Sequence, residues 1–297
     1  MTKIVTHNAK FHTDDVFAAA ALLLVYPEAQ INRTREKEVI DSADIVFDVG
    51  EEYNAEHNRF DHHQLGGAGN RENGIPYSSF GLVWKKFGEE ISGSREVMKR
   101  IDSTLVQAID AGDNGVDTFT LIMPDVFPYL VQGVVNQYRL TWKESSGDWD
   151  GRFLECVKWA KSFLERVVKV TQDVVGGEIV VKAAYENTED RCLVVIDEKY
   201  DLGRELVSKV LASMPEPVYT ILYRHDHKNW QIVAIVKNSG TFELRKALPE
   251  SWRARHDEDL DKVTGVTGGI FCHRNGFMCI TKTKESALDL AQIALNA

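Results

Sequence analysis

The feature that most limits the fold of this chain is the alternation of short apolar runs with one long Ala/Leu segment near its start. Lys3 to Val5 reads as a short buried strand, Phe17 to Tyr26 as a helix closed by Pro27, Gln30 to Thr34 as a second strand, and Ile45 to Phe47 as a third. Strand, helix, strand in this order predicts a parallel sheet with helices on its faces. In open sheets of that kind, ligands bind beyond the carboxyl ends of the strands.

Downstream, Gly66-Gly67-Ala68-Gly69 must be a loop, and Asp113-Asn114-Gly115 is a turn signal. Pro76 to Phe87 and Val97 to Ala111 look helical. So does Pro128 to about Val175, with a break around Ser145-Ser146-Gly147-Asp148. A polar run at Glu186 to Asp190 marks a change of register. After it come strand-like segments at Cys192 to Ile196, Tyr219 to Tyr223 and Trp230 to Val236, and a helix at Leu202 to Leu211. Gly268 to Thr281 reads as a strand pair, and Lys284 to Leu295 as a final helix. The expectation is an α/β protein of two units, residues 1–187 and a smaller α/β unit over 188–297.

Bulk properties exclude some classes. The longest apolar run, Val16 to Tyr26, is shorter than the roughly 18 residues of a membrane helix, so no membrane partner is expected. Met1 to Lys10 lacks the basic start and apolar stretch of a signal peptide. The four cysteines, Cys156, Cys192, Cys272 and Cys279, form no CxxC pair. That argues against a disulfide scaffold or a cysteine zinc site, and a reducing cytoplasm is the expected location. The net charge of -10 demands no extended basic face, and weakly favours a small or short anionic substrate.

Four segments concentrate His and Asp: Thr6 to Asp15, Phe47 to Gly50, Arg59 to Gln64, and Ile109 to Gly115. The first two lie at the expected strand ends. Imidazole with carboxylate suits a divalent ion such as manganese or magnesium and needs no thiolate. Two such ions can clamp a phosphate and activate a water as nucleophile. Each residue also has a plainer use. Asp14 or Asp15 can cap the following helix, Asp113 can shape its turn, and His57, His225, His227 and His256 read as solvated. Asp48 is harder to dismiss, because a carboxylate after Ile-Val-Phe faces burial, which costs several kcal/mol without a partner.

Asp61-His62-His63, with Asp48 upstream and Asp113-Asn114-Gly115 downstream, resembles the DHH phosphoesterase superfamily of exonucleases, oligoribonucleases, cyclic dinucleotide phosphodiesterases and pyrophosphatases. In its first motif His12-Thr13-Asp14 takes the place of Asp-x-Asp, with His7 as the preceding His. The chain is more closely similar to the melanocyte-proliferating-gene family. The likeness runs through Tyr77-Ser78-Ser79-Phe80-Gly81, Leu248 to Trp252, Gly265, Gly269, and Phe271 to Phe277, and departs at Met278-Cys279-Ile280.

The resemblance implies a DHH-type N-terminal sheet, a C-terminal substrate-binding unit and a cleft between them. It implies a 3′-to-5′ exonuclease on RNA or short oligonucleotides, using about two manganese or similar ions. The implied metal ligands are His7, His12, Asp14, Asp48, His62 and Asp113, with Asp110 in support or as the direct ligand instead. The implied catalytic groups are His63, Asp61 and Asp110, with His63 contacting the scissile phosphate and helping to protonate the leaving oxygen. Gly268 and Gly269 would offer backbone amides to substrate, and His273, Arg274 and Arg253 would be phosphate contacts, with Trp252 a possible base stack. A homodimer is compatible with the sequence. Two other readings stay open: a small-molecule phosphatase or pyrophosphatase, and a non-catalytic nucleotide-binding module.

Overall fold

The computed structural model describes residues 1–144 and 147–297, so Ser145 and Ser146 of the expected helix break lie outside the described residues. The chain divides into two compact units, Met1–Gln172 and Asp173–Ala297. The division falls inside one long helix, upstream of the polar run at Glu186 to Asp190.

The first unit is built on a five-stranded sheet of β1 (Lys3–Thr6), β2 (Gln30–Arg33), β3 (Ile45–Phe47), β4 (Tyr53–Asn54) and β5 (Arg59–Phe60), in the order β2-β1-β3-β5-β4. β1 runs parallel to β2 and β3, and β3 parallel to β5. β4 is antiparallel to β5, so the sheet is mixed and not purely parallel as expected. Two-residue strands such as β4 and β5 are too short to carry a period-2 signal.

The helices of this unit are α1 (Thr13–Val25), α2 (Lys37–Asp41), α3 (Ser79–Ser92), α4 (Arg95–Ile101), α5 (Gln107–Asp113), α6 (Val131–Asn136) and the first part of α7 (Trp149–Glu186). A π-helical turn at Asp102–Val106 joins α4 to α5. Every residue from Val16 to Leu22 is fully buried, as a helix apolar on all sides must be. The small side chains Ala18 to Ala21 let neighbours approach it closely. α7 presents Phe153, Cys156, Val157, Ala160 and Leu164 at i, i+3, i+4 spacing, all buried. α3 begins at Ser79 rather than Pro76, because Ser78 is extended and its hydroxyl is bound elsewhere.

The second unit holds a five-stranded sheet of β6 (Leu193–Val195), β7 (Tyr219–Arg224), β8 (Asn229–Ala234), β9 (Gly269–Cys272) and β10 (Met278–Thr281), in the order β6-β7-β8-β10-β9. Only β6 and β7 pair in parallel. Alternation along β7 sorts its residues between two cores. Tyr219 and Ile221 pack with Trp230, Ile232 and the Leu290 and Ala291 face of α10 (Lys284–Asn296). Leu222 packs with Val181, Val207 and Leu211, from the end of α7 and from α8 (Arg204–Ala212). α9 (Asp257–Thr264), not read from sequence, packs Leu260 into the first of these cores.

Candidate metal centre

The parallel register sets the site. Val5 pairs with Val46 and Phe47 with Phe60, so the chain leaves β1, β3 and β5 at neighbouring carboxyl ends. His7 follows β1, Asp48 follows β3, and Asp61 to His63 follow β5. His12 is the residue before α1, and Asp14 and Asp15 fill its first turn. Asp113 closes α5. Two backbone positions are constrained to reach this arrangement: Ala9 and Asp48 adopt left-handed φ of 64° and 55°. Such conformations cost roughly 1–3 kcal/mol each and collect at functional sites. Arg33 helps hold the 8–12 loop, donating to the Ala9 carbonyl at 2.7 Å and to Asp150 at 2.7 Å.

Asp48 is the hinge of the cluster. Its Oδ2 lies 3.1 Å from His7 Nε2, and its Oδ1 lies 3.3 Å from His62 Nε2. His62 Nε2 is also 3.4 Å from Asp113 Oδ2 and 3.7 Å from Asp14 Oδ2. Three overlapping groups have donor atoms within 4.8 Å of one another: His7, His12 and Asp48; Asp48, His62 and His63; His12, Asp14 and Asp113. All six expected metal ligands therefore meet in one place.

The donor atoms fit a hard or borderline divalent cation. Asp14 Oδ1, Asp15 Oδ2, Asp48 Oδ2 and His62 Nε2 are buried without a hydrogen bond. His7 Nε2 is 3.0 Å from Asp15 Oδ2 as well as 3.1 Å from Asp48 Oδ2, but one ring hydrogen cannot point at both, and neither oxygen receives a well-directed bond. Buried polar atoms are rarely left so, and these are oxygen and imidazole lone pairs of the kind that bind such ions. His7 Nδ1 lies 2.9 Å from the Asn8 carbonyl, a contact that directs Nε2 into the cluster.

Protonation follows from the same crowding. Burial pushes Asp14 well above the ordinary carboxylate range, and the charges of Asp48 and Asp113 add to this. Burial likewise raises Asp15 to about 6, against the opposing bond from His7. Burial would lower His7, but its contacts with Asp15 and Asp48 outweigh that and lift it to about 10. Asp48 is held low against its burial by His62 and His7. A cation bound here would displace the protons on His7 and the carboxylates.

A surrounding ring of residues fixes the ligands. Ser79 donates its hydroxyl to Asp48 Oδ1 at 3.0 Å and its amide to Asp14 Oδ2 at 3.3 Å. Asp61 accepts the His62 amide at 2.7 Å, the His63 amide at 3.2 Å and the Glu51 amide at 2.6 Å. It also meets His63 Nδ1 at 2.7 Å, which raises the His63 pKa. Asp61 thus aims the two histidines and offers no free oxygen to a substrate.

Asp110, expected among the catalytic groups or as a ligand, is withdrawn from the cluster. It accepts from Ser78 Oγ at 2.6 Å, the Gly81 amide at 3.1 Å and Arg71 at 2.5 Å. Arg71 also bonds Asp102 at 2.9 Å, in the π-helical turn. Sequence reasoning passed over Ser79 and Arg71 as functional positions. The only local signal for the first was the Tyr77 to Gly81 motif.

Two clefts of the first unit open on the cluster. One, of about 740 Å³, is lined by His7, His12, Asp48 and His63 with Lys10, Arg35 and Lys37. The other, of about 540 Å³, is lined by His12, His62, His63, Asp113, Gln132, Asn136 and Arg139.

In the second unit the expected substrate contacts have other partners. The Gly268 and Gly269 amides donate to Asp261 at 3.1 and 2.7 Å, so they tie β9 to α9 and are not open to substrate. A Cβ on Gly269 would fall 2.8 Å from Leu260, which explains the glycine by packing. Trp252 is buried in the core and cannot stack on a base. Arg253 Nε donates to the Leu248 carbonyl at 3.1 Å. The His273 ring lies 4.3 Å from that of Phe277, and its Nδ1 accepts the Asn275 amide at 3.1 Å. Arg274 is exposed.

Fold and site together define a two-unit α/β protein carrying a buried His/Asp centre with the donor set of a divalent-metal site. Comparison with known proteins gives the chain a family. The profile of the Uncharacterised protein family (UPF0160) matches residues 3–295, and the chain belongs to this family, the MYG1 family. It is 30% identical to the "MYG1 protein" of Dictyostelium discoideum, covering 99% of this chain and 96% of that one. It is 29% identical to the "MYG1 exonuclease" of Homo sapiens, over 99% of this chain and 85% of that protein. The "MYG1 exonuclease" of Mus musculus is likewise 29% identical, over 99% and 84%.

Proposed function

We propose that this chain is a metal-dependent phosphodiester hydrolase of the DHH type, a 3′-to-5′ exonuclease acting on RNA or short oligonucleotides. One observation carries the reading: the two oxygens of Asp48 face different histidines, Oδ2 lying 3.1 Å from His7 Nε2 and Oδ1 3.3 Å from His62 Nε2, with His12, Asp14 and Asp113 gathered in the same cluster. A carboxylate between two ligand groups would suit a pair of cations, and manganese suits the all-oxygen-and-nitrogen set. The name exonuclease carried by the mammalian relatives supports a nucleic-acid substrate.

Bound cations would neutralise phosphate charge and lower the pKa of a water at the site. The chain's own residues do the rest. Asp48 and His62 would hold the ions, Ser79 and Asp61 fix those two side chains, and His63 faces solvent with its ring oriented by Asp61. His63, with its pKa raised, is placed to protonate the leaving oxygen. Lys10, Arg35 and Lys37 line the larger cleft, Lys37 paired with Asp41 at 2.8 Å, and this is where we place the polynucleotide strand.

The test is a panel assay of the purified, manganese-loaded chain against end-labelled short RNA with free or blocked 3′ ends, pyrophosphate and nucleoside bisphosphates. Stepwise shortening from a free 3′ end is expected. Turnover of pyrophosphate alone would replace the nuclease with the pyrophosphatase reading.

A further inference from the structure

Three arginines of the first unit are at least half-buried near the centre, and two are paired. Arg33 meets Asp150 at 2.7 Å, and Arg71 meets Asp102 and Asp110. The third, Arg139, lies just beyond α6 and has no side-chain hydrogen bond or ion pair among the described residues. Its Nε is fully buried and unpartnered. Its guanidinium stands 6.0 Å from the centre of the Phe11 ring, and it lines the 540 Å³ cleft beside His12, His62 and Asp113. An unsatisfied buried donor is costly, more so when charged. A planar fork of donors is suited to bidentate pairing with a phosphate.

We propose that Arg139 is the phosphate-binding residue of the smaller cleft, gripping a non-bridging oxygen pair of a phosphate held against the Asp113 side of the metal centre. The inference rests on the phosphoesterase reading and adds a named subsite to it. It divides the labour between the clefts: lysines and Arg35 line the larger, and a single guanidinium with the amides of Gln132 and Asn136 lines the smaller. Gln132 is itself anchored, donating to the Ala108 carbonyl at 3.2 Å. A wall with one unpaired guanidinium favours a single phosphate over a long polyanion. The smaller cleft therefore receives the end of the substrate that is released.

The experiment compares wild type, Arg139→Gln and Arg139→Lys as full-length, manganese-loaded chains. Three quantities are read: bound manganese, affinity for inorganic phosphate by calorimetry, and kcat and KM on short RNA. The expected result is unchanged manganese in both variants and phosphate affinity about 10- to 100-fold weaker in the Gln variant. KM should rise by a similar factor with a smaller change in kcat, and Lys should recover part of the loss because it keeps charge but not the fork. Wild-type phosphate affinity and KM in Arg139→Gln would overturn the assignment. So would loss of manganese with the phosphate defect, which would make Arg139 a support of the metal cage. If wild type cleaves no phosphodiester, the hydrolase reading fails on that count, while phosphate binding still decides the role of Arg139.

Discussion

Gly81 leaves the space that the Asp110 carboxylate fills: a Cβ at position 81 would stand 1.9 Å from Asp110 Oδ2. The same glycine gives its amide to that carboxylate. Gly81→Ala must therefore displace Asp110 from Ser78 and Arg71 and leave a buried carboxyl without its partners. A loss of about 3 kcal/mol is expected, with a melting temperature roughly 5–10 °C lower. Calorimetric unfolding checks this, and wild-type stability in the variant would show that the Asp110 network is dispensable.

The hydroxyl of Ser79 reaches Asp48, the shared carboxylate, so Ser79→Ala should loosen the cage without removing a ligand. Manganese affinity is expected to fall roughly 10- to 100-fold, as for other groups that orient ligands. Asp48→Ala, which removes the shared ligand, should leave no measurable manganese at equal loading. Elemental analysis after dialysis measures both. Equal manganese in all three proteins would mean that the ions bind elsewhere.

Stability should depend on pH in opposite senses with and without metal. Burial raises the folded-state pKa values of Asp14 and Asp15, the latter to about 6. Their contribution is therefore full below the unfolded value near 4 and is lost as pH rises through the raised values, about 6 for Asp15. His7, raised to about 10, adds in the same sense: full below about 6.5, lost toward 10. Asp48, held low, opposes them only in the acid range where an unfolded carboxylate protonates. A cation needs these groups deprotonated. With chelator the melting temperature should fall between about pH 5 and pH 8, and the increase on adding manganese should widen over the same range. A gap that stays constant would count against these residues as the ligands.

Asp261 accepts both the Gly268 and Gly269 amides, a structural tie rather than a substrate contact. Asp261→Ala should destabilise the second unit by about 1–3 kcal/mol, the cost of two unmade bonds to a charged acceptor. Manganese content should be untouched. A variant of normal stability with a raised KM for RNA would instead restore those glycines to the substrate site.

Local pattern was enough to read the strands at Lys3, Gln30 and Ile45, the buried helix after Asp15, and the four segments rich in His and Asp. Each is carried by hydrophobic period or by residue type at a strand end, which are properties of neighbours in the chain. Local pattern could not choose between Asp110 and Asp113. They sit less than one helical turn apart, and only the packing of α5 against α3, with Arg71 and Gly81 drawn in from far along the chain, turns one carboxylate into the scaffold and the other toward His62. The same holds for the antiparallel β4 edge, too short for any periodicity, and for Gly268 and Gly269, whose amides were spoken for by a helix that the sequence did not announce. Residue chemistry marked which groups could bind metal; the partners that bury, neutralise or aim each one come from distant segments, and only the folded chain assigns them.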